Sequence, residues 1–356
     1  MDNLGRGAAS AVKWRTGICA TGLLLGCIFL QLGCGGSSAS TSGETNGGGT
    51  TPGPSPGPSP TPTPSPTPNP NPTPTTGIPQ FSHVFLVLEE NHSFSDVIGN
   101  TSMPYLNGLA SANSLAAQYY ADAHPSLPNY FMLTVGEGTS ITGTEGDAYS
   151  GVVTDDNVVR ALTAAGKTWK CYAESLPSVG YLGGDTGPYL QHHVPFVYFS
   201  DVQSSSAQAN NIVPFTQLAT DITNNSLPDY AFIVPNVYDD AHNCPAGMTT
   251  CTNDQMLAPA DAWLSANIAP LLASTTFQNS LLIVTFDESE DSDTEHGGGH
   301  VPAVIVSPLA KSGYQSTTLY QHESTLRLMM EGLGVTDLPG AGATAPEMTE
   351  FFSQSN

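Results

Sequence analysis

The fold of this chain is decided by residues 83–94, which read HVFLVLEENHSF. The first six residues form a short, almost continuous apolar run, which is typical of a strand buried on both faces of a parallel sheet. The residues that follow are polar and begin where the strand ends. In open α/β sheets the functional groups gather at the carboxyl ends of the strands. Residues 83–94 therefore predict a central strand and one wall of a site.

Further apolar runs of the same kind alternate with helix-like stretches along the chain. We predict strands at residues 83–88, 230–234, 281–286 and 301–306. We predict helices at residues 155–165, 215–222, 258–272 and 322–332. Such an alternation indicates an α/β fold with a mostly parallel central sheet and helices on both faces.

Two of the predicted strands end in oxygen-bearing side chains. Glu90 and Asn91 follow the first strand and offer hard ligands for a divalent cation, although an exposed turn would also explain them. Asp287 and Glu288 follow the strand at residues 281–286, and paired carboxylates after a buried strand are unfavourable unless a cation neutralises them. This favours Asp287 and Glu288 as ligands. A solvated loop is expected for the acidic residues that come next, Glu290, Asp291, Asp293 and Glu295.

Ser126 lies in the sequence HPSLPNY, residues 124–130, ahead of an apolar stretch that looks helical. At the amino end of a helix, the backbone N–H groups and the helix dipole favour a nucleophile and an anion together. Ordinary capping of the helix by Ser126 is the alternative.

Two histidines lie close to predicted strand ends. His242 comes shortly after the strand at residues 230–234, and His300 opens the strand at residues 301–306. Three glycines precede His300 and permit a close approach of the backbone to a ligand. Ordinary loop histidines remain the alternative for both.

The charge of the chain limits what it can bind. Of its 8 basic and 31 acidic residues, Arg6, Lys13, Arg15 and Asp2 precede Cys34, so the remainder carries 5 − 30 = −25. Binding to nucleic acid or to anionic lipid by bulk charge is therefore disfavoured. An anionic substrate would need a local positive charge, and a metal ion is the obvious source because no basic residue adjoins the polar clusters.

The amino-terminal part of the chain has the pattern of an export signal, predicted for residues 1–34. Three basic residues precede an apolar stretch at residues 18–32, and small residues follow. We favour Cys34 as a lipid attachment site over Cys27, which would cut the apolar run short; an ordinary cleaved signal is the other possibility.

Residues 35–77 are rich in Gly, Ser, Thr and Pro and predict an extended, polyproline-like linker. Residues 78–356 are globular in composition and are assigned to one domain.

Three cysteines lie in this domain. Export would permit a disulfide, and Cys244 and Cys251 flank a turn of Pro, Gly and Thr residues, so we expect them to pair. Cys171 lies in a strand-like run and is expected to be a free, structural thiol.

Six motifs resemble, in their order along the chain, those of the phosphoesterase family. They span residues 82–333, and any one of them is weak, whereas six in order are specific. The motifs are EENHSF (89–94), HPSLPNY (124–130), VPN followed by Asp and His (234–242), TFDE (285–288), GHVP (299–302) and YQHESTLR (320–327). The family contains bacterial and fungal acid phosphatases and phosphatidylcholine-type phospholipases C, and the resemblance implies an alkaline-phosphatase-like fold.

The resemblance also implies roles for individual residues. Glu90, Asn91, Asp287 and Glu288 would hold a divalent metal ion of unspecified identity and number, with the oxygen of Ser126 beside it as ligand and nucleophile. The family often has Asp where this chain has Glu288.

Four further residues take roles from the resemblance. Asn129 would contact the phosphoryl group. His242 and His300 would contact phosphate, protonate the leaving group or complete a second metal site. His322 would share one of these roles or would cap the helix that begins with it.

These observations predict an exported, metal-dependent phosphoric ester hydrolase. A phosphomonoesterase is favoured over a phospholipase C because HPSLPNY is closer to the acid phosphatase version. The expected partner is a small phosphoester or a phospholipid head group, with no nucleic acid and with membrane contact only through a lipid anchor. A surface binding module without turnover and a sulfatase or phosphomutase on the related fold are the competing hypotheses.

The lipid anchor can be tested at one residue. If Cys34 is acylated at an outward-facing bacterial membrane, Cys34→Ala should release the protein from the membrane fraction or block its processing, because the attachment atom is lost. Fractionation and intact mass measure this directly. Membrane retention and mass equal to those of the wild type would argue for another anchor.

Overall fold

The computed structural model describes residues 77–353. The predicted export signal, the Cys34 attachment site and residues 35–76 of the predicted linker lie outside the described residues. Within residues 77–353, no helix is both long and apolar enough to cross a membrane.

An eight-stranded sheet forms the centre of the domain, with the strand order β5-β4-β6-β1-β7-β8-β2-β9, and β3 and β10 form a separate pair. The strands are β1 (His83–Glu89), β2 (Ser114–Ala116), β3 (Tyr119–Tyr120), β4 (Trp169–Ala173), β5 (Ile212–Pro214), β6 (Tyr230–Val234), β7 (Ser280–Phe286), β8 (Ala303–Val306), β9 (Tyr314–Ser316) and β10 (Tyr320–Gln321). Five of the seven pairings in the large sheet are parallel, and the two that involve β8 are antiparallel. The prediction of a mostly parallel α/β sheet is confirmed.

Helices surround this sheet. They are α1 (Phe94–Val97), α2 (Pro104–Ala112), α3 (Ser126–Thr134), α4 (Thr139–Thr142), α5 (Val158–Ala164), α6 (Ser200–Gln203), α7 (Ser206–Ala209), α8 (Gln217–Asn224), α9 (Asn253–Asn267), α10 (Ala269–Leu272) and α11 (His322–Gly332). Helix α3 packs against α11, and α2 packs against α9. All four predicted helices exist: α11 has the predicted bounds, α5 and α8 have shifted ends, and the helix predicted at residues 258–272 is divided between α9 and α10.

The shifted boundaries have local causes. Helix α5 begins after Asn157, whose side chain accepts a hydrogen bond from the Arg160 N–H and so caps the helix. Helix α9 begins five residues before the predicted start because Thr252 and Gln255 form a capping box. Strand β8 begins at Ala303 rather than 301, directly after Pro302, which has no N–H to donate to a ladder.

Strand β1 is the central strand of the sheet and is buried on both faces, which explains its continuous apolar sequence. Its neighbours β6 and β7 are parallel to it, so the carboxyl ends of the three strands meet at one edge. Beyond the ladders, the Glu90 N–H donates to the Asp240 carbonyl and the Asp287 N–H to the Glu89 carbonyl. These bonds hold the polar residues of three strand exits together.

Candidate functional site

Four carboxylates converge where β1, β6 and β7 end. Glu90, Asp240, Asp287 and Glu288 expose 0%, 1%, 0% and 2% of their surface. Burial is the largest cause that raises the pKa of Glu90, Asp240 and Asp287, and neighbouring carboxylates raise each pKa further. In the described part of the chain, no lysine or arginine forms an ion pair with any of the four.

Ser126 lies among these carboxylates as the first residue of α3. Its Oγ is 3.2 Å from Glu90 Oε2 and 3.2 Å from Glu288 Oε1. Asn91 joins the same group, because its Nδ2 donates to Glu288 Oε1 at 2.8 Å and its backbone N–H donates to Asp287 Oδ1 at 3.1 Å. The structure thus places all five side chains that the resemblance assigned to a metal in one group.

This group has the donor chemistry that a divalent cation requires. Asn91 Oδ1, Asp287 Oδ2 and Asp240 Oδ2 are buried and have no hydrogen-bond partner in the described structure. Oxygen atoms that are buried, anionic and unpaired are unfavourable unless a cation compensates them. The residues present therefore fit a hard cation held by oxygen ligands.

A second set of possible ligands adjoins the first. One ligand atom each from Glu90, His193 and His242 lies within 4.8 Å of the others, so this trio could hold a metal ion. His193 is buried, with Nε2 3.4 Å from Glu90 Oε1 and Nδ1 3.5 Å from Asp240 Oδ2. Burial lowers the pKa of His193, which favours the neutral ring that binds metals. Nitrogen ligands suit a transition metal such as zinc.

Sequence reasoning missed His193. It lies in a short 3-10 turn, Gln191–His193, between β4 and β5, and no predicted strand ends there. The one available signal is the adjacent pair His192 and His193 in a chain with nine histidines. Tyr130 was missed as well, although its phenol donates a short hydrogen bond to Glu90 Oε1 and its ring stacks on His193.

Asn129 has a different task from the phosphoryl contact that the resemblance implied. Its Oδ1 accepts from the N–H groups of Asp122 and Ala123, and its Nδ2 donates to the Ala123 carbonyl at 2.8 Å. The side chain is fully buried and both ends of the amide are engaged. Asn129 therefore fixes the segment that leads to Ser126, and no polar group remains free for a substrate.

The structure does not bring His300 into the group around Ser126. Its ring stacks between Phe94, at 4.5 Å, and Tyr120, at 4.8 Å, and its Nε2 lies 3.0 Å from the Ala117 carbonyl. These contacts give His300 a packing role instead of the expected contact with phosphate. His242, by contrast, is half-buried and lies in the second ligand set.

His322 supports the site from behind. It is fully buried at the start of α11, its Nε2 donates to the Asp287 carbonyl at 2.6 Å, and its Nδ1 accepts from the Tyr119 hydroxyl at 3.0 Å. Burial lowers the pKa of His322 to about 4, which keeps the ring neutral. His322 therefore holds the backbone of a proposed ligand and does not face a substrate.

His124 is hydrogen-bonded to Glu288 Oε2, the carboxylate oxygen that does not contact Ser126. Its Nδ1 is 2.6 Å from Glu288 Oε2, and its Nε2 donates to the Asp293 carbonyl at 2.8 Å. The hydrogen bond to Glu288 raises the pKa of His124 to about 9, so the pair is an ion pair at neutral pH. Only Oε1 of Glu288 is then directed at Asn91 and Ser126.

The loop after Glu288 is more ordered than its acidic sequence predicted. Glu290, Asp291 and Glu295 are exposed, as expected. Asp293 is half-buried, and its carboxylate accepts from the backbone N–H groups of Glu295 at 3.0 Å and His300 at 2.9 Å. The expectation of a merely solvated loop is therefore wrong for Asp293.

The glycine run before His300 approaches the chain itself and not a ligand. A Cβ atom at Gly297 would lie 2.0 Å from the Asp122 carbonyl oxygen, and one at Gly298 would lie 2.4 Å from that of Ala123. Real Cβ contacts are never this short, so the loop packs on the segment before Ser126 only because these residues lack side chains. The prediction that the glycines serve ligand approach is corrected accordingly.

The amino end of α3 is already capped by the protein. Asp147, in the turn Gly146–Ala148, accepts a hydrogen bond from the Leu127 N–H at 2.8 Å. A phosphate group bound at that helix end would therefore have to compete with the Asp147 carboxylate.

The expected disulfide is present in the structure. Cys244 and Cys251 are joined, and Cys171 is buried and has no disulfide partner in the described part of the chain.

Comparison with known proteins is consistent with this arrangement. Residues 100–336 match the family described as "Phosphoesterase family". A phosphatidylinositol-3-phosphatase from Mycobacterium tuberculosis is 31% identical over 277 residues, which are 78% of this chain and 85% of that protein. A probable acid phosphatase from Kluyveromyces lactis is 28% identical over 69% of this chain, and the match spans 56% of the length of that protein.

The fold also has relatives among solved structures. A protein in the alkaline phosphatase superfamily from Vibrio parahaemolyticus superposes with a TM-score of 0.52. The match covers 73% of this chain and 68% of that one, at 13% sequence identity. The alkaline-phosphatase-like fold expected from the sequence motifs is confirmed.

The packing of the glycine run can be measured as stability. Gly298→Ala should lower the free energy of unfolding by about 1–3 kcal/mol, because the added methyl group meets backbone that cannot move aside. Gly108→Ala is the matched control, since Gly108 lies inside α2 with nothing within 4 Å of the added atom, and it should stabilise by about 0.5–1 kcal/mol. Urea unfolding curves that coincide for Gly298→Ala and the wild type would contradict the packing argument.

Proposed function

The chain belongs to the phosphoesterase family and is a hydrolase of phosphoric esters, and we propose that it is a metal-dependent phosphomonoesterase that uses Ser126 as its nucleophile. One observation carries the proposal: the Ser126 hydroxyl lies between two buried carboxylates in a group in which three buried oxygens lack hydrogen-bond partners. Such a group has no structural need for a serine, whereas a phosphoryl-transfer site does.

Two sets of residues would hold the cations. Asn91, Asp287 and Glu288 would bind one beside Ser126, and Glu90, His193 and His242 would bind a second. When bound, a divalent cation stabilises negative charge on the serine oxygen and on the phosphoryl oxygens. The cation would thus supply the positive charge that the few basic side chains of this strongly acidic domain do not provide.

The residues of the chain perform the remaining steps. The Ser126 Oγ attacks phosphorus and forms a phosphoserine, while the bond to the alcohol breaks. Glu90 Oε2 and Glu288 Oε1, each 3.2 Å from the Oγ, are the acceptors within reach of the serine proton. Water then hydrolyses the phosphoserine and restores the hydroxyl. Ser126, Glu90 and Glu288 expose 2% of their surface or less, which limits the access of competing water to the first step.

His242 can serve one of two roles through its free ring nitrogen: it completes the second cation set, or it protonates the departing alcohol. Its Nδ1 lies 2.9 Å from Asn243 Oδ1, which leaves Nε2 available to a substrate. The half-buried position gives access to solvent for reprotonation. His300, the other histidine expected in this role, has its Nε2 engaged with the Ala117 carbonyl.

A monoester substrate is supported by the names of the relatives, which are phosphatases, and by the acid-phosphatase-like HPSLPNY motif. We also propose that the protein is exported and anchored by lipid at Cys34, a proposal that rests on residues 1–34 alone. Activity only on the phosphocholine diester of p-nitrophenol, and none on p-nitrophenyl phosphate, would indicate a phospholipase C type of activity, and a binding module without turnover would hydrolyse neither.

The nucleophile can be tested by one substitution. Ser126→Ala should lower kcat by roughly three orders of magnitude or more on p-nitrophenyl phosphate, because no other hydroxyl replaces the attacking oxygen. The wild type, quenched in acid during turnover of a labelled monoester, should carry phosphate on Ser126. Ser111→Ala, at an exposed serine of α2, is the control and should match the wild type. Near-normal turnover by Ser126→Ala would remove Ser126 from the mechanism.

Metal dependence needs a separate measurement. Chelation should abolish turnover, and a divalent cation should restore it, because the buried carboxylates would repel a phosphate without one. His193→Ala should weaken metal binding at least about tenfold in a titration with metal alone. His83→Gln, at the opposite end of β1, is the matched histidine control. A wild-type rate that survives chelation with no metal found by elemental analysis would contradict the proposal.

A further inference from the structure

A cavity of about 260 Å³ opens directly beside the proposed catalytic group. Asn91 and His242, which belong to that group, form part of its wall. Because Asn91 contacts Asp287 and Glu288 beside Ser126, an alcohol that leaves the phosphoryl group on this side enters the cavity. A cavity of this volume suits a small alcohol, since one water molecule takes about 30 Å³ of liquid volume.

The wall of the cavity carries negative charge and no positive charge from basic residues. Glu290 and Asp291 both line it, and Asn253 Nδ2 holds the Glu290 carboxylate at 2.7 Å. No lysine or arginine of the described chain lines it. An anionic leaving group would therefore be repelled here, whereas a cation would be attracted. Met256 adds an apolar surface for a short carbon chain.

His92 adds a hydrogen-bond acceptor that the protein itself does not use. It lines the cavity although only 2% of its surface is exposed. Its Nδ1 lies 3.0 Å from the Glu90 carbonyl oxygen, which can only accept, so Nδ1 carries the hydrogen. The Nε2 atom has no hydrogen-bond partner among residues 77–353. In the neutral ring, Nε2 is therefore an acceptor for an N–H or O–H group in the cavity.

We propose that this cavity binds the leaving alcohol and selects an amino alcohol whose amine is protonated. The substrate class is then the phosphate monoester of a small amino alcohol, with ethanolamine as the simplest example. This inference rests on the proposed phosphomonoesterase function. In the reaction the P–O bond to the alcohol breaks, the alcohol oxygen takes up the proton that Ser126 gives up, and the ammonium group keeps its charge throughout.

The test compares alkyl phosphates that differ in the charge of the alcohol. We would measure kcat/KM for O-phosphoethanolamine, phosphocholine, glycerol 2-phosphate and 3-phosphoglycerate with metal restored, and p-nitrophenyl phosphate as the reference. The kcat/KM for O-phosphoethanolamine should exceed that for 3-phosphoglycerate by at least about tenfold. The two carboxylates of the cavity attract the ammonium group of the first alcohol and repel the carboxylate of the second. Phosphocholine should fall between them, since it has the charge but no N–H group for His92.

Variants identify the groups responsible. The double variant Glu290→Gln/Asp291→Asn should reduce the ratio of O-phosphoethanolamine to 3-phosphoglycerate by about fivefold. Glu295→Gln is the matched control, because Glu295 is exposed in the same acidic loop but does not line the cavity. It should leave the ratio as in the wild type.

Each outcome decides between the two proposals. Turnover of p-nitrophenyl phosphate with no preference for O-phosphoethanolamine would overturn this inference and leave the proposed function intact. A preference that survives in the double variant would also overturn it, since the two carboxylates would not be its cause. Failure to hydrolyse any of the five esters in the metal-restored protein would overturn both proposals.

Discussion

The burial of four carboxylates at one edge of the sheet is the constraint on which the rest of the site depends. Glu90, Asp240, Asp287 and Glu288 are almost entirely removed from water, and no lysine or arginine in the described chain neutralises them. Buried anions that lie close together destabilise the fold unless something positive joins them. A cation bound at this edge would therefore contribute to the stability of the domain as well as to its chemistry.

Two histidines contact these carboxylates, and only one of them carries compensating charge. His124 forms an ion pair with Glu288 Oε2, and His193 lies between Glu90 and Asp240. The two differ in protonation, because a hydrogen bond to carboxylate raises the pKa of His124 whereas burial lowers that of His193. His124 is thus suited to orient a ligand, and His193 is suited to be one.

The segment before Ser126 shows how much structure is needed to present one hydroxyl group. Asn129 binds this segment from within α3, and the glycine loop packs on it so closely that no side chain fits between. Asp147 accepts a hydrogen bond from the N–H of Leu127 in the first turn of the helix. These contacts orient Ser126 before any substrate arrives, so the cost of ordering it is met during folding.

The sequence by itself determined the parallel sheet and the carboxylate and amide side chains that follow its strands. Short continuous apolar runs indicated strands buried on both faces, and parallel strands end at one edge of a sheet, so Glu90, Asn91, Asp287 and Glu288 were expected at the same edge. Only the tertiary structure decided the place of His193, His300 and Asn129. Their surroundings come from segments far away in the chain: the turn at residues 191–193 reaches Glu90 across a hundred residues, and Phe94 and Tyr120 enclose His300. Local patterns carry no information about such contacts, because these depend on loop packing and not on the periodicity of a strand or helix.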